Sequence, residues 1–335
     1  MKKKLNEIPL SALDLATICQ GDTLNDAFNR SLRLARHAEH LGLKRYWFAE
    51  HHNFDSVASA ATSVLIGFIA GGTQKIRVGA GGVMLPNHSP LVIAEQFGTL
   101  EALYPGRIDL GLGRAPGTDP QTSWALRRRL EGGGDDFPND VAELLTWLGP
   151  AQPDARVRAI PGQDSNIPVW LLGSSLFSAR LAGMLGLPYA FASHFAPTYL
   201  LEALKTYSEH FNPSQYLSEP YAMACVNIIA ADTDEEAEYL ASSFYQMALG
   251  IFRNSRHPLP PPVKDMGTIW TPQEEYGVRQ MMHYSFIGSQ KTIAEQLQGF
   301  LDRTGVDEVM LSATIFDTEA RLHSMELAAG LFSSV

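Results

Sequence analysis

The stretch GAGGVMLPNHSPLVIAEQFGTLEALYPGRIDLGLGRA, residues 79–115, contains two strand-like segments on either side of a helix-like segment. Small and aliphatic residues predict strands at residues 75–85 and 107–113. Residues 90–103 begin with proline, which is favoured at the first position of a helix. A strand, a helix and a second strand in this order form one unit of a parallel α/β fold.

The same alternation continues on both sides of this stretch. Further strands are predicted at residues 9–16, 45–50, 167–173, 188–193, 221–231 and 306–312. Helices are predicted to follow them at residues 23–41 and 57–71, from residues 176, 197 and 234 onward, and up to residue 332. Eight strands, each followed by a helix, predict an α/β fold of the (β/α)8 TIM barrel type. The alternative, an open doubly wound sheet, expects a glycine-rich turn after the first strand, where this chain has LDLATICQG.

The chain is longer than a typical barrel, with 335 residues against roughly 250. The surplus lies in two segments rich in proline and glycine, residues 115–166 and 250–289. These insertions follow strands four and seven and are expected to carry extra helices on the C-terminal face, where barrel enzymes have their active sites. We expect a single domain that covers residues 1–335.

The composition and net charge of the chain exclude several classes of function. The chain has 45% hydrophobic and 19% charged residues, which is typical of a folded protein. Its net charge is -10, and no basic patch offers a surface for nucleic acid or an anionic membrane. Cys19 and Cys225 cannot build a disulfide framework, and the start MKKKLNEIPL lacks the apolar segment of a signal peptide. We therefore expect a cytoplasmic protein without nucleic-acid or membrane partners.

The predicted second strand ends in AEHHN, residues 49–53, which brings two neighbouring histidines to the barrel mouth. Adjacent residues of a strand point to opposite faces, so one of His51 and His52 faces the mouth as an acid, a base or a hydrogen-bond donor. The alternatives are a metal site and a structural histidine. Neighbouring histidines are poor joint ligands and no H-x-x-x-H or C-x-x-C motif is present, so no metal is expected. The sixth strand brings Ser193 and His194 to the same mouth.

The predicted fourth strand, within GRIDLGLGRAPG at residues 106–117, has two distinct faces. Alternation predicts that one face turns towards the helices and carries Ile108, Leu110 and Leu112, and that the other turns towards the barrel axis and carries Arg107, Asp109, Gly111 and Gly113. The two glycines of the inner face are expected to leave a hole in the barrel interior. Arg114, at the mouth, either binds an anion bidentately or pairs with a surface carboxylate.

Three further glycine and serine segments suggest ligand contacts. The glycines within residues 79–82 leave room for a flat ligand near the backbone, or else mark a bulge. GSSLFSA, residues 173–179, starts a predicted helix whose free N–H groups and serine hydroxyls suit a phosphate, although a serine there also caps a helix. IGSQKT, residues 287–292, is a second candidate of the same kind.

Taken together, AEHHN, the long stretch at residues 79–115, PVWLLGSS and VDEVML resemble the bacterial luciferase-like monooxygenase family over nearly the whole chain. The resemblance implies a (β/α)8 barrel that binds FMN or a deazaflavin. It also implies the use of reduced FMN and O2 to oxidise a small organic substrate, with the reduced flavin supplied by a separate flavin reductase. The absence of a dinucleotide-binding fingerprint agrees with such a partner.

The resemblance assigns roles to individual residues. His51 corresponds to the catalytic histidine, Arg114 to the arginine at the flavin phosphate, and Gly81–Gly82 to a cis peptide bond after strand three. The cofactor-binding residues predicted on this basis are Gly81, Gly82, Gly113, Arg114, Gly173, Ser174, Ser175 and Ser193. Luciferases have a reactive cysteine where this chain has Gly113, so light emission is not implied.

Three functions remain open from the sequence. The first is an FMN-dependent monooxygenase in which His51 assists proton transfer and aromatic residues of the insertions exclude water. These aromatic residues are Trp124, Phe137, Phe252, Trp270 and Tyr276. The second is a deazaflavin-dependent oxidoreductase, for which Arg127, Arg128 and Arg129 offer charge for a longer anionic tail. The third is a flavin-binding protein without turnover.

A homodimer is also expected, packed through the helices at residues 57–71 and 90–103. Residues 57–72 (VASAATSVLIGFIAGG) have no charged side chain, although an outer barrel helix normally shows a polar face to water. A charge in the middle of this helix, as in Ile66→Glu, is expected to split the dimer. The alternative is that the N-terminal arm or an insertion of the same chain covers this helix.

Overall fold

The computed structural model describes residues 3–126, 136–151 and 154–332, which form nine strands and eleven helices. The strands are β1 (Leu10–Asp14), β2 (Arg45–Phe48), β3 (Arg77–Met84), β4 (Ile108–Gly113), β5 (Val169–Gly173), β6 (Tyr189–Phe191), β7 (Ala222–Ala231), β8 (Ser285–Ser289) and β9 (Glu308–Ser312). The helices are α1 (Leu24–His40), α2 (Thr62–Gly72), α3 (Pro90–Leu103), α4 (Pro120–Leu126), α5 (Phe137–Leu148), α6 (Leu176–Leu185), α7 (Leu200–Glu209), α8 (Asp234–Phe252), α9 (Pro272–Met281), α10 (Gln290–Thr304) and α11 (Thr318–Ala329).

Eight of these strands close into a parallel barrel. β1 is hydrogen-bonded to β2 on one side and to β9 on the other, and β7 joins β6 to β9. Helices alternate with the strands and pack their apolar residues against the outer face of the barrel. The predicted (β/α)8 TIM barrel is confirmed.

One strand was not predicted. β8 pairs with residues 227–231 of β7, whereas β9 pairs with residues 223–227, so the two pairings overlap only at Asn227. It lies in the segment 250–289, where the sequence predicted only an insertion with extra helices. The predicted loop at the start of IGSQKT is the end of β8, and the predicted helix start that follows it is confirmed by α10. The sequence SFIGS is short and contains glycine and serine, and only pairing with the long β7 makes it a strand.

The start of α2 also differs from the prediction. The helix begins at Thr62 rather than at residue 57, because the preceding segment packs against other parts of the chain. Val57 forms an antiparallel bridge with Thr17, and the Ser59 hydroxyl donates to the Ala49 carbonyl. The predicted start of α1 is confirmed, since the Thr23 side chain accepts a hydrogen bond from the first turn of that helix.

A buried charge network and two tryptophans fill the amino-terminal half of the barrel. Arg45 donates to Asp109 at 2.8 Å and to Glu308 at 2.7 Å, and all three side chains are buried. Above them, Trp47 and Trp170 pack edge to face with their ring centroids 5.2 Å apart. This filling separates the amino-terminal half of the barrel from a cavity at the carboxyl ends of the strands.

The predicted inward position of Arg107 is wrong. β4 begins at Ile108, so strand alternation does not extend to Arg107. Its guanidinium donates instead to the backbone carbonyls of Ala70, Thr73 and Ile76, outside the barrel. The predicted outer face of β4 is confirmed, because its aliphatic residues belong to the core between strands and helices. No helix in the described part of the chain has the length and apolar character to cross a membrane.

Candidate active site

A cavity of about 980 Å³ opens at the carboxyl ends of the barrel strands. Its walls include eight of the nine residues predicted as the site, namely His51, Gly81, Gly82, Gly113, Arg114, Gly173, Ser174 and Ser175. These residues come from the ends of four strands, β2 to β5, and from the loops that follow them. Barrel closure thus brings together residues that are more than 120 positions apart in the chain.

Ser193 is the exception, and its prediction as a cavity residue is not met. Its side chain is fully buried, and its hydroxyl donates to the Cys225 carbonyl at 2.6 Å. The flanking residues Ala192 and His194 face the cavity instead. The backbone turns at the end of β6, so the side chain of Ser193 points into the packing between β6 and β7.

His51 faces the cavity with one ring nitrogen free. Its Nδ1 is buried and has no hydrogen-bond partner among the described residues. The ring packs edge-on against Phe54, with centroids 5.3 Å apart. Burial lowers the pKa of His51 below its ordinary value, although the Glu50 carboxylate opposes this shift, and Arg256 makes a smaller contribution in the direction of burial. The imidazole is therefore neutral at pH 7 and able to accept a proton.

His194 is a second neutral imidazole in the same cavity. Its Nδ1 is also buried and without a partner among the described residues. Burial lowers the pKa of His194 to about 3, and the proximity of His51 contributes to this shift. The sequence predicted that His194 lies at the barrel mouth but gave no indication of its role.

His52 points away from the cavity and belongs to a different cluster. Its Nε2 lies 2.8 Å from Glu50 Oε1, and His88 Nε2 lies at the same distance from the same oxygen. The hydrogen bonds from the two histidines lower the pKa of the Glu50 carboxyl to about 2, against the effect of burial. The ligand atoms of these three residues lie within 4.8 Å of one another, so they are of a type and spacing that could hold a metal ion. Hydrogen bonding by itself accounts for their arrangement.

The glycines of β3 and β4 allow the two strands to approach closely. The register between these strands shifts after Ala80, so the segment contains a bulge. A Cβ atom at Gly82 would lie 2.8 Å from the Gly111 carbonyl oxygen, and one at Gly111 would lie 2.7 Å from Leu172 Cδ1. The predicted interior hole at Gly111 is therefore wrong, because Leu172 and the neighbouring strand occupy that space.

Two details of the same region agree with the sequence. The peptide bond Gly81–Gly82 is cis, as predicted. Both glycines and Gly113 also line the cavity, so a ligand can approach the backbone there. At Gly113 a Cβ atom would lie 2.9 Å from Met84 Sδ, the end of a flexible side chain.

One end of the cavity is suited to an anion. Ser174 and Ser175 line it at the N-terminus of α6, where free N–H groups and the helix dipole favour negative charge. Ser175 occupies the N-cap position, but its side chain makes no capping hydrogen bond. The Arg114 guanidinium lies 4.4 Å from the ring centroid of Phe177, in the first turn of the same helix.

The second predicted phosphate site is wrong. The Ser289 amide and the Thr292 hydroxyl, both within IGSQKT, donate to the carboxylate of Asp234. An internal carboxylate therefore already neutralises the N-terminus of α10, and neither residue lines the cavity.

The cover of the cavity comes from residues that the sequence analysis did not select. None of the five predicted aromatic residues lines the cavity: Trp124, Phe252 and Tyr276 are exposed, and Phe137 and Trp270 belong to hydrophobic cores. The end of α8 and the segment 253–260 cover the mouth instead. Arg127, Arg128 and Arg129 lie outside the described residues.

A closed (β/α)8 barrel with a large cavity at the carboxyl ends of its strands is the architecture of a TIM-barrel enzyme. The chain belongs to the luciferase-like monooxygenase family, whose model matches residues 12–308. It is 56% identical over 321 residues to a luciferase-like monooxygenase of Escherichia coli strain K12, with 96% of each chain covered. It is 52% identical over 326 residues to YvbT of Bacillus subtilis strain 168, with 97% of each covered. An N-acetyl-S-alkylcysteine monooxygenase of the same Bacillus strain is 39% identical over 237 residues, or 69% of this chain and 70% of the relative.

Solved structures give the same result for the fold. Apo-MsnO8 superposes with a TM-score of 0.86 at 34% identity, covering 97% of this chain and 98% of MsnO8. The oxygenating constituent of 3,6-diketocamphane monooxygenase from Pseudomonas putida, solved with FMN, has a TM-score of 0.74 at 18% identity and covers 97% and 98%. An F420-dependent secondary alcohol dehydrogenase has a TM-score of 0.71 at 14% identity and covers 98% and 100%. At such low identities the last two are similar in fold alone.

Proposed function

We propose that this enzyme is a flavin-dependent monooxygenase that uses reduced FMN and O2 to oxidise a small organic substrate. The observation that carries the proposal is the cavity itself, which combines an anion-binding end with a neutral histidine whose Nδ1 has no hydrogen-bond partner in the described part of the chain. Arg114 and the N-terminus of α6 form the anion-binding end, and His51 provides the free ring nitrogen. A flavin phosphate and a proton-transfer step need these two features together.

The residues present fit FMN. The phosphate would be held by Arg114 with Ser174 and Ser175, and Gly81, Gly82, Gly113 and Gly173 would leave the backbone open to the rest of the cofactor. When bound in its reduced form, the flavin supplies the electrons that activate O2. No carboxylate among the described residues lines the cavity, so nothing there repels the phosphate.

The chain's own contribution to the chemistry is proton transfer and exclusion of water. His51 is neutral at pH 7, so its free Nδ1 can take a proton from the reacting oxygen or from the substrate and later return it. Apolar walls from Met223, Met310 and the end of α8 keep bulk water from the reacting atoms. The relative named N-acetyl-S-alkylcysteine monooxygenase supports a small organic molecule as the substrate class.

The proposal also covers the source of the electrons, the oligomeric state, the domain organisation and the cellular location. We infer a separate flavin reductase as partner, because the chain lacks a dinucleotide-binding fingerprint. We also infer a homodimer, a single domain over residues 1–335, and a cytoplasmic location. The two buried free thiols, Cys19 and Cys225, support a reducing compartment.

Oxygen consumption tests the proposal against its alternatives. Purified protein is mixed with FMN, a flavin reductase and NADH, and a panel of organic sulfides and carbonyl compounds is scanned for oxygenated product by mass spectrometry. Product that carries one atom from ¹⁸O2 is expected with FMN. Substrate oxidation with a deazaflavin and without O2 would instead support the deazaflavin-dependent oxidoreductase. Flavin binding without product across the panel would support the non-catalytic flavin-binding protein.

A further inference from the structure

The cavity of this acidic protein is lined by arginines and by no carboxylate of the described residues. The whole chain has 36 Asp and Glu residues against 26 Lys and Arg residues. Yet the permanently charged side chains among the described residues that line the cavity are Arg114, Arg253 and Arg256. The charge around the cavity is therefore positive although the net charge of the chain is negative, and this favours the binding of negatively charged ligands.

Two of these arginines have no carboxylate partner among the described residues. Arg253 forms a bidentate pair with Glu274, at 2.7 and 3.0 Å, so its charge is already neutralised. Arg114 packs on Phe177 beside α6, and Arg256 packs on Phe54 with its guanidinium carbon 3.9 Å from the ring centroid. A flavin phosphate at the α6 end accounts for Arg114 and leaves Arg256 unexplained.

Arg256 is on the side of the cavity where the chemistry takes place. Phe54 lies between Arg256 and His51, in contact with both. Burial is the main cause of the lowered pKa of His51, and the charge of Arg256 makes a smaller contribution in the same direction. An anionic group held by Arg256 would therefore be bound in the same cavity as His51, on the side where Phe54 contacts both residues.

The backbone around Arg256 is fixed in position. The Leu259 amide donates to the Ile18 carbonyl and the Gln20 amide donates to the Leu259 carbonyl, both at 2.8 Å. The Ser255 amide donates to the Gly250 carbonyl at 2.8 Å. These bonds tie the segment that carries Arg256 to the loop after β1 and to the end of α8, and the guanidinium packs on Phe54 at the mouth.

We propose that Arg256 is the binding site for an anionic group, a carboxylate or a sulfonate, on the organic substrate. The substrate class is then an organic anion with an apolar body, since Met247, Ile251, Ile269 and Met281 line the adjoining wall. This inference rests on the proposed function, because it assigns the α6 end of the cavity to the flavin phosphate.

Calorimetric titration with a matched pair of probes tests the proposal. Octanoate and octan-1-ol have the same apolar chain and differ in charge, and each is titrated into FMN-saturated protein. Arg256→Gln is expected to weaken octanoate binding about tenfold or more and to change octanol and FMN affinity less than twofold. Lys264→Gln, which removes one exposed charge from the same insertion (residues 250–289) but outside the cavity, is the control and should leave the affinities for octanoate, octan-1-ol and FMN unchanged.

Unchanged octanoate affinity in Arg256→Gln would overturn the proposal, as would an equal loss for octanoate and octan-1-ol. The same titrations are repeated without FMN, so that failure of the Arg256 proposal can be distinguished from failure of the proposed function. If the protein fails to bind FMN, the proposed function fails. The difference between octanoate and octan-1-ol still decides whether Arg256 binds an anion.

Discussion

Two adjacent histidines have opposite surroundings in this barrel. His51 faces the cavity with a free Nδ1, whereas His52 is hydrogen-bonded to Glu50 behind the cavity wall. Strand alternation predicts the difference in direction but not which of the two faces inward. The family resemblance supplied that assignment, and the structure places His51 on the inner side.

Replacement of His51 should reduce turnover far more than flavin affinity. His51→Ala removes the proton-accepting Nδ1, and general acid–base assistance is worth about 10²–10⁴-fold in rate. The rate is measured as oxygen consumption with reduced FMN and the best substrate of the panel, and FMN affinity is measured separately. His52→Ala is the matched control: it should lower the melting temperature by breaking the bond to Glu50 and reduce the rate much less. Wild-type turnover in both variants would contradict the assigned role.

His194 should make the protein less stable in mild acid. The unfolded chain takes up a proton at this histidine near pH 6.5, but the folded protein does so only at about pH 3. Stability is therefore retained above pH 6.5 and falls as the pH decreases from 6.5 towards 3, by up to about 1.4 kcal/mol per pH unit. Urea unfolding at pH 7.5 and 5.5 measures the loss. His194→Gln should lose less than the wild type over this interval, and exposed His257→Gln controls for the removal of an imidazole. An equal loss in His194→Gln and the wild type would contradict this account.

At the scale of the elements, the close approach of β3 and β4 shapes the wall of the cavity. The bulge after Ala80 and the glycines on both strands let Leu172 of β5 reach the space between them. The wall is consequently dense at Gly111 and open to ligands at Gly81, Gly82 and Gly113. The sequence identified this glycine-rich region but predicted more empty space than the structure has.

Gly111→Ala should destabilise the barrel. The added Cβ atom would lie 2.7 Å from Leu172 and closer still to the Ala80 carbonyl oxygen, which is backbone and cannot move aside. Overpacking of this kind costs about 1–3 kcal/mol. Gly299→Ala is the control, because that glycine lies on the exposed face of α10 with nothing within 4 Å and should gain about 0.5–1 kcal/mol. Chemical denaturation measures both changes, and a neutral Gly111→Ala would contradict the close packing.

The elements also show why part of the site was predictable and part was not. Strand ends and helix starts follow local patterns, so the glycines, Arg114 and the serines of α6 were found from the sequence. Arg256 was missed because its position depends on two backbone hydrogen bonds between segments more than 230 residues apart. β8 was missed for a similar reason, since only pairing with β7 makes SFIGS a strand. The one available signal for Arg256 was an arginine in a proline-rich segment of an acidic chain.

At the scale of the whole molecule, α2 leaves an uncharged surface exposed. Val64 is 69% exposed and Phe68 is 43% exposed, and Val92 of the neighbouring α3 is 43% exposed. The N-terminal arm does not cover them, because Lys3 bonds to residues 305–307 at the amino-terminal end of the barrel. Ile66 is fully buried, so the predicted Ile66→Glu variant would disrupt the core rather than an interface.

The double variant Val64→Glu/Phe68→Glu should separate the proposed homodimer. Two charges on the exposed face of α2 would oppose burial of that face against a second chain. Light scattering at micromolar concentration is expected to give the mass of two chains for the wild type and of one chain for the variant. Tyr276→Glu, at an aromatic residue of α9 that is as exposed as Val64, should keep the wild-type mass. A wild-type mass near one chain would contradict the dimer.

The most direct test of the central claim, a flavin phosphate held by Arg114 at the N-terminus of α6, compares the binding of FMN with that of riboflavin, which has the same ring system without the phosphate. Anaerobic titrations with the reduced flavins should give tighter binding of FMN to the wild type. Arg114→Gln should weaken the binding of FMN by about 10- to 100-fold, because it removes a charge-assisted hydrogen bond to the phosphate, and should leave the affinity for riboflavin unchanged. Equal affinity of the wild type for both flavins, or unchanged FMN affinity in Arg114→Gln, would contradict the account.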